Sequence, residues 1–237
     1  MRNNELFFNL YNTLDKLLRR HYNVDDVNQS VIVKRINELK NSTSAFKRAR
    51  AEKLDIIRNL RNSLAHIEKF DNEENFIIKS TLIKALKDEI RDVLHPLTAK
   101  DIYKNIDDVM CANLNDNVKD VINKMIDKGY SHIPVVLNDK LVGVFSENTI
   151  FTALSESDHI DITSNSLIKD YLPFVNIENH SSQYFLFVKE SMLVDDLYLL
   201  FNKKKNNKKL VMAFVSKNGS IKDNILGIIT SYELLKH

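Results

Sequence analysis

The chain has 237 residues, 43% hydrophobic and 28% charged, with a formal net charge of +2. That balance belongs to a soluble globular chain, and it excludes both a disordered chain and a uniformly basic nucleic-acid binder. The single cysteine, Cys111, excludes an internal disulfide and a cysteine-based zinc site and suits a reducing cytoplasm.

The opening segment, MRNNELFFNLYNTLDKLL, is amphipathic and contains acids, unlike a signal peptide. No run of about 18 apolar residues predicts a membrane span. All four glycines (Gly129, Gly143, Gly219, Gly227) lie in the second half. The prolines are Pro96, Pro134 and Pro173, so residues 1–95 hold neither helix breaker and favour long helices. Residues 1–96 carry 18 Lys+Arg against 14 Asp+Glu, net +4, and the remainder 16 against 18, net −2. Composition and charge therefore place a domain boundary at residues 96 and 97.

Residues 3–21 carry Leu6, Phe7, Leu10, Tyr11, Leu14, Leu17 and Leu18 at helical spacing. Residues 27–39 repeat the pattern with Val31, Ile32, Ile36 and Leu39. A third helix is predicted over 44–67, with Thr43 or Ser44 as N-cap, and a fourth over 74–94, stopped by Pro96. Short connections make this half an antiparallel four-helix bundle.

After Pro96 the period changes, and the fold class becomes α+β. Residues 118–128 read as a helix, 133–137 and 141–145 as strands around the turn Asn138-Asp139, and a helix starts near Glu147. The order recurs: a helix over 194–203, strands over 210–215 and 225–229 around Asn218-Gly219, and a closing helix from Ser231. LVGVFSENTI and ILGIITSYEL superpose at a spacing of 84 residues, with five extra residues in the second hairpin. The segment is a duplicated helix–strand–strand–helix unit.

These residues resemble a tandem pair of CBS domains, a Bateman module. VMCANLNDNVKDVINKMIDKGYSHIPVVLNDKLVGVFSENTIFTAL is the clearer copy, over 97–165; the second, over 166–237, keeps ILGIIT and has Ala213 where the family commonly has proline. The resemblance implies a pseudo-twofold pair with clefts for AMP, ADP, ATP or S-adenosylmethionine. In the family's G-h-h-(T/S)-x-x-D run the hydroxyl contacts phosphate and the Asp the ribose. A hydroxyl beside free N–H groups at a helix start suits an anion, and a carboxylate accepts from two vicinal hydroxyls. Ser146 and Thr230 hold the hydroxyl position here. Thr149, which lacks a carboxylate, and Glu233, with a longer reach, hold the Asp position. His132 falls where some members place a basic phosphate contact. Ser146, Thr230 and Glu233 also fit plain helix caps. The run KKKNNKK, with Lys203, Lys204, Lys205, Lys208 and Lys209, reads as a solvated loop or as an attractor for polyphosphate.

In the helical half, Arg61-Asn62-Ser63-Leu64-Ala65-His66 resembles the R-(polar)-x-x-x-H motif of HEPN domains, small four-helix bundles that carry it late in a long helix. The resemblance spans residues 1–96 and implies a metal-independent endoribonuclease, often a toxin or defence effector, working as a homodimer. RNA supplies its own nucleophile, the 2′-hydroxyl, so the protein need supply only a proton acceptor or donor and a charge partner for phosphate. His66 suits the first role, Arg61 the second, and Asn62 would orient either. At about 100° per residue, Leu54, Ile56, Ile57, Leu60, Leu64 and Ile67 fall on one apolar arc, with Arg58, Arg61, Asn62 and His66 beside it. Lys47, Arg48, Arg50 and Lys53 offer a basic track for RNA. The structural alternative pairs Arg61 with an acid and leaves His66 as a helix-end cation.

Two functions follow. One is an adenine-nucleotide-sensing protein whose ligand controls HEPN-type RNA cleavage, with no metal. The other is a non-catalytic regulator in which the bundle mediates dimerisation or docking to a partner protein.

Overall fold

The computed structural model describes residues 3–42, 45–67, 77–156 and 163–236, without the side chains of Phe46, His66 and Ile67. The chain forms two compact units, residues 1–96 and 97–237.

The first unit holds α1 (Asn3–Tyr22), α2 (Val31–Lys40), α3 (Ala45–Ile67) and α4 (Ser80–Leu94). Phe7, Leu14, Leu18, Ile32, Leu39 and Leu86 are fully buried in their shared core. α2 begins four residues later than its apolar pattern predicts, because the Ser30 hydroxyl accepts from the Val33 amide and caps the first turn. The predicted N-cap of α3, Thr43 or Ser44, lies outside the described residues. α4 starts at Ser80 rather than at residue 74. Ahead of it, the Ile78 amide donates to Asn4 Oδ1 at 3.1 Å and the Ile78 carbonyl accepts from Asn3 Nδ2 at 3.1 Å. These bonds tie the Ile78 backbone to the start of α1 with its side chain buried, a tertiary gain that overrides local helix propensity. On α3 the predicted apolar arc loses Ile56, which is 58% exposed. It stands about 200° from Leu54 around the helix, on the opposite face.

Glu89 of α4 is a buried acid held by two arginines. Arg35 Nε reaches its Oε1 at 2.7 Å, Arg50 bonds its Oε2, and Arg50 also reaches Asp92 at 2.7 Å. The two guanidiniums keep the Glu89 carboxyl below the usual range against its own burial. Arg50 therefore leaves the basic track assigned to it.

The second unit runs α5 (Ala99–Ile102), β1 (Lys104–Asn105), α6 (Val118–Lys128), β2 (His132–Leu137), β3 (Lys140–Ser146) and α7 (Glu147–Glu156). It continues with α8 (Leu172–Val175), β4 (Gln183–Lys189), α9 (Val194–Asn202), β5 (Lys204–Lys205), β6 (Lys208–Ser216), β7 (Ile225–Ile229) and α10 (Ser231–Leu235). β2 and β3 form an antiparallel hairpin, turned by Asn138 and Asp139 at φ 51° and 60°. The other sheet has the order β1-β7-β6-β4, with β5 paired to β6. β4 is parallel to β6, as the α9 crossover between them requires. The aromatic and β-branched run QYFLFVK forms β4, a strand the repeat pattern does not include.

The lead-in segments are exchanged. Ala99 and Ile102 pack in the core of α9, β6 and β7, while Ile168, Tyr171 and Val175 pack in the core of α6, β2 and β3. The backbone repeats the exchange: the Val194 amide donates to Leu97 O at 2.9 Å, and the Val118 amide to Ser166 O at 2.9 Å. Each lead-in therefore clasps the other copy, and the boundary at residues 165 and 166 is not a core boundary. Gly143 and Gly227 lie where those segments approach. A Cβ at Gly143 would stand 2.1 Å from Val175 O, and one at Gly227 2.3 Å from Lys104 O. The two glycines of the duplicated run thus do the same job, each making room for the lead-in segment packed on its copy.

Candidate functional sites

The second unit contains a cleft of about 950 Å³. Its walls include Tyr103 at the end of α5, Lys104 on β1, Ser131 and His132 at the start of β2, and Thr230, Glu233 and Lys236 around α10. Val211, Met212 and Ile228 supply an apolar side. Of the five predicted ligand residues, the fold brings His132, Thr230 and Glu233 together here.

Thr230 caps α10. Its hydroxyl accepts from the Tyr232 amide at 3.2 Å and donates to Glu233 Oε2 at 2.6 Å, while its amide donates to that same oxygen at 2.9 Å. The capping box fixes both side chains at the cleft wall, with Glu233 8% exposed. The capping and cleft-lining readings of these residues therefore coexist. His132 Nδ1 lies 2.8 Å from Ser131 Oγ and its Nε2 2.8 Å from Gln183 Oε1. The network assigns Nε2–H as donor to Gln183 and leaves Nδ1 to accept from Ser131. Burial holds the imidazole below the ordinary histidine value, opposed by the Gln183 hydrogen bond.

Ser146 and Thr149 occupy the equivalent positions of the first copy, and each is only 1% exposed. The Ser146 amide donates to Thr149 Oγ1 at 3.0 Å, the two hydroxyls lie 3.2 Å apart, and the Thr149 amide donates to Ser146 Oγ at 3.3 Å. The pair satisfies itself and neither residue lines the large cleft, but Ser146 lines a separate cavity of about 500 Å³ with Gly129, Tyr130, Glu147 and Phe151. His180 is 5% exposed and packs edge-on against Phe185 at 4.9 Å between ring centroids. Its Nε2 has no hydrogen-bond partner among the described residues. Nothing in the sequence spacing marks His180, and the same holds for Tyr103 and Lys104, because β1 has only two residues.

In the first unit, Arg61 and Asn62 lie in the last two turns of α3. Arg61 Nη1 donates to Asn62 Oδ1 at 3.4 Å, and the guanidinium carbon stands 5.5 Å from the Tyr11 ring centroid. Arg61 Nε is buried without a hydrogen-bond partner, and among the described residues no carboxylate pairs with Arg61. Its neighbour Arg58 differs, bonded to Asp55 at 2.9 Å. Tyr11, the aromatic support that sequence reading assigned only to the core, is raised above the usual phenol value by burial, against the pull of Arg61. His66 belongs to the last turn of α3, and its side chain lies outside the described atoms.

Cys111 is half-buried, and burial pushes its thiol up to about 11, where it stays protonated at neutral pH. Among the described residues no His, Cys, Asp and Glu cluster could hold a metal. No helix there is long and apolar enough to cross a membrane.

The second unit combines helices and strands around a duplicated helix–strand–strand–helix run. Residues 99–156 match the family model of the CBS domain and form a CBS domain. Among solved structures, the chain is similar to a hemolysin-like protein containing a CBS domain from Oenococcus oeni PSU, at 18% identity over 60% of this chain and 90% of that one, with a TM-score of 0.41. It is similar to the CBS domain of a bacterial CNNM/CorC family Mg2+ transporter in complex with ATP, at 17% identity over 59% and 85%, TM-score 0.41. It is also similar to CBSX2 in complex with AMP, at 20% identity over 59% and 94%, TM-score 0.42. No curated protein sequence matches the chain.

Proposed function

We propose that the protein senses an adenine nucleotide (AMP, ADP, ATP or S-adenosylmethionine) in the large cleft of its second unit. On this reading residues 97–165 and 166–237 are a CBS pair that uses one open half-site. The observation that carries it is the convergence of Thr230, Glu233, His132 and Lys104 on one cleft of about 950 Å³, ample for a nucleotide. On binding, the Thr230 hydroxyl would turn from Glu233, and His132 Nε2–H from Gln183, to donate to phosphate; Lys104 and Lys236 would neutralise it, and Glu233 would accept from ribose hydroxyls. The apolar wall at Val211 and Ile228 would cover the base. Ser146 and Thr149 enter this reading as a self-paired cap beside a separate cavity of about 500 Å³, not as contacts in the large cleft.

Calorimetric titration with the four ligands tests it. Thr230→Val and Glu233→Gln should each weaken binding about tenfold, the worth of one charge-assisted hydrogen bond. Unchanged affinity in both would overturn the assignment.

The first unit is proposed as an antiparallel four-helix bundle of HEPN type. It would act as a metal-independent endoribonuclease in a homodimer, with the bound nucleotide controlling cleavage. The specific observation in favour is Arg61, whose guanidinium lies over the Tyr11 ring and, among the described residues, pairs with no acid, which suits a phosphate contact. His66 would carry the proton and Asn62 would orient Arg61, which it already bonds. The test is RNA cleavage in metal-free buffer, with and without AMP or ATP. Wild type should leave 2′,3′-cyclic phosphate ends, and His66→Ala and Arg61→Ala should lose the activity while folding normally. Without any cleavage the helical unit becomes a dimerisation or docking surface for a protein partner, and Arg61 and His66 become structural.

A further inference from the structure

Residues 203–209 form a tight hairpin rather than a loop. Lys204 faces Lys209 and Lys205 faces Lys208 across β5 and β6. Asn206 and Asn207 make the turn at φ 50° and 62°, in the left-handed region that asparagine tolerates. Like charges directly opposite on paired strands destabilise them. Among the described residues no carboxylate pairs with Lys203, Lys204, Lys205, Lys208 or Lys209. This concentrated positive charge stands in a segment whose net charge is −2. The fold thus spends stability to hold uncompensated lysines side by side, an arrangement that an anion with several charges would relieve.

The neighbouring surface indicates which anion. Lys209 lines a groove of about 430 Å³ together with Gln183, His132 and Ser231. His132, Val211 and Ser231 also line the large cleft, so the two cavities share a wall. A polar track runs along it, from Ser131 Oγ to His132 and from His132 Nε2 to Gln183 Oε1, each at 2.8 Å. Gln183 is in turn the register partner of Lys209 on β6. A phosphate held at Thr230 and His132 stands at the head of this track, and the lysine hairpin stands at its end.

We propose that the hairpin receives the terminal phosphates of the bound nucleotide, so that the cleft selects nucleoside di- and triphosphates over monophosphates. The inference rests on the nucleotide reading above and adds the part of the ligand that decides selectivity. Lys209, nearest the track, makes the first contact, and Lys204 opposite it strengthens the local field. A tail of two further phosphates gains charge-assisted bonds that a monophosphate cannot reach.

The test is calorimetric titration of the full chain with AMP, ADP and ATP in magnesium-free buffer, on wild type and on Lys204→Gln/Lys209→Gln. Both positions are exposed, and circular dichroism would check that the variant folds. Wild type should bind ATP at least about tenfold more tightly than AMP, with ADP between, the worth of one or two such bonds. In the double variant the ATP-to-AMP ratio should fall to about twofold or less. Equal binding of AMP and ATP to wild type, or a preference that survives in the variant, overturns the hairpin's role and leaves the cleft assignment standing. Failure of all three nucleotides to bind overturns the cleft assignment, and the hairpin's role with it.

Discussion

Gly227→Ala should damage both the stability of the second unit and its cleft. The added Cβ would lie 2.3 Å from Lys104 O and 2.3 Å from Tyr103 Cδ2. An ordinary carbon–oxygen contact is about 1 Å longer, and one of the two obstacles is backbone that cannot rotate away. Over-packing costs about 1–3 kcal/mol where side chains can adjust, and the backbone clash puts this site near the upper end. Relief requires β1 to draw back from β7, to which it pairs through Lys104↔Ile228 and Asn105↔Gly227. Tyr103 and Lys104 both line the large cleft, so that movement also disturbs the nucleotide site, although no ligand-facing side chain is altered. Thermal denaturation should show a midpoint lowered by roughly 10 °C, and nucleotide affinity should fall with it. Gly129→Ala is the comparison. Gly129 has φ 66° but nothing within 4 Å of its Cβ position, so only left-handed backbone strain of about 1 kcal/mol is added. A Gly227→Ala midpoint within about 2 °C of wild type, or a milder effect than Gly129→Ala, would refute the close-approach argument.

Glu89→Leu should destabilise the helical unit by about 3 kcal/mol, the lower end for breaking a buried ion pair from one side. Arg50 keeps Asp92 and Arg35 keeps Glu38, which limits the loss; urea denaturation showing a change under about 1 kcal/mol would contradict the network's role. Stability should also fall as pH drops below about 6.5, because burial holds His132 and His180 below that ordinary value. In that window the unfolded chain binds more protons than the folded one, so acid favours unfolding until the depressed folded values are passed. Urea midpoints measured from pH 7 to pH 5 should decline, and His180→Asn should flatten the decline; an unchanged slope would assign it elsewhere. A further loss belongs below about 4.5, where the depressed Glu89 carboxyl begins to protonate in the unfolded chain.

Much of this protein was legible before its fold. Helical spacing located α1 to α4 and α6, the Asn138-Asp139 and Asn218-Gly219 pairs are turn chemistry, and the two G-h-h-(S/T) runs exposed the duplication. Such signals are local, because helix period, left-handed turns and N-caps depend on residues within a few positions of one another. The candidate ligand residues came from the same duplicated run, and sequence treats its two copies alike. Tertiary structure separates them, setting Ser146 beside one cavity and Thr230 and Glu233 on the wall of a larger one. It also decided that 97–102 and 163–175 exchange partners, that β1 completes the sheet of the second copy, and that Arg50 is consumed by Glu89 while Arg61, among the described residues, meets no acid. Apolar spacing tells a residue to be buried but not against what, and an arginine reads the same in sequence whether or not a distant acid meets it. Those outcomes rest on contacts between residues far apart in the chain, such as Arg35 with Glu89 and His132 with Gln183, which no local pattern encodes.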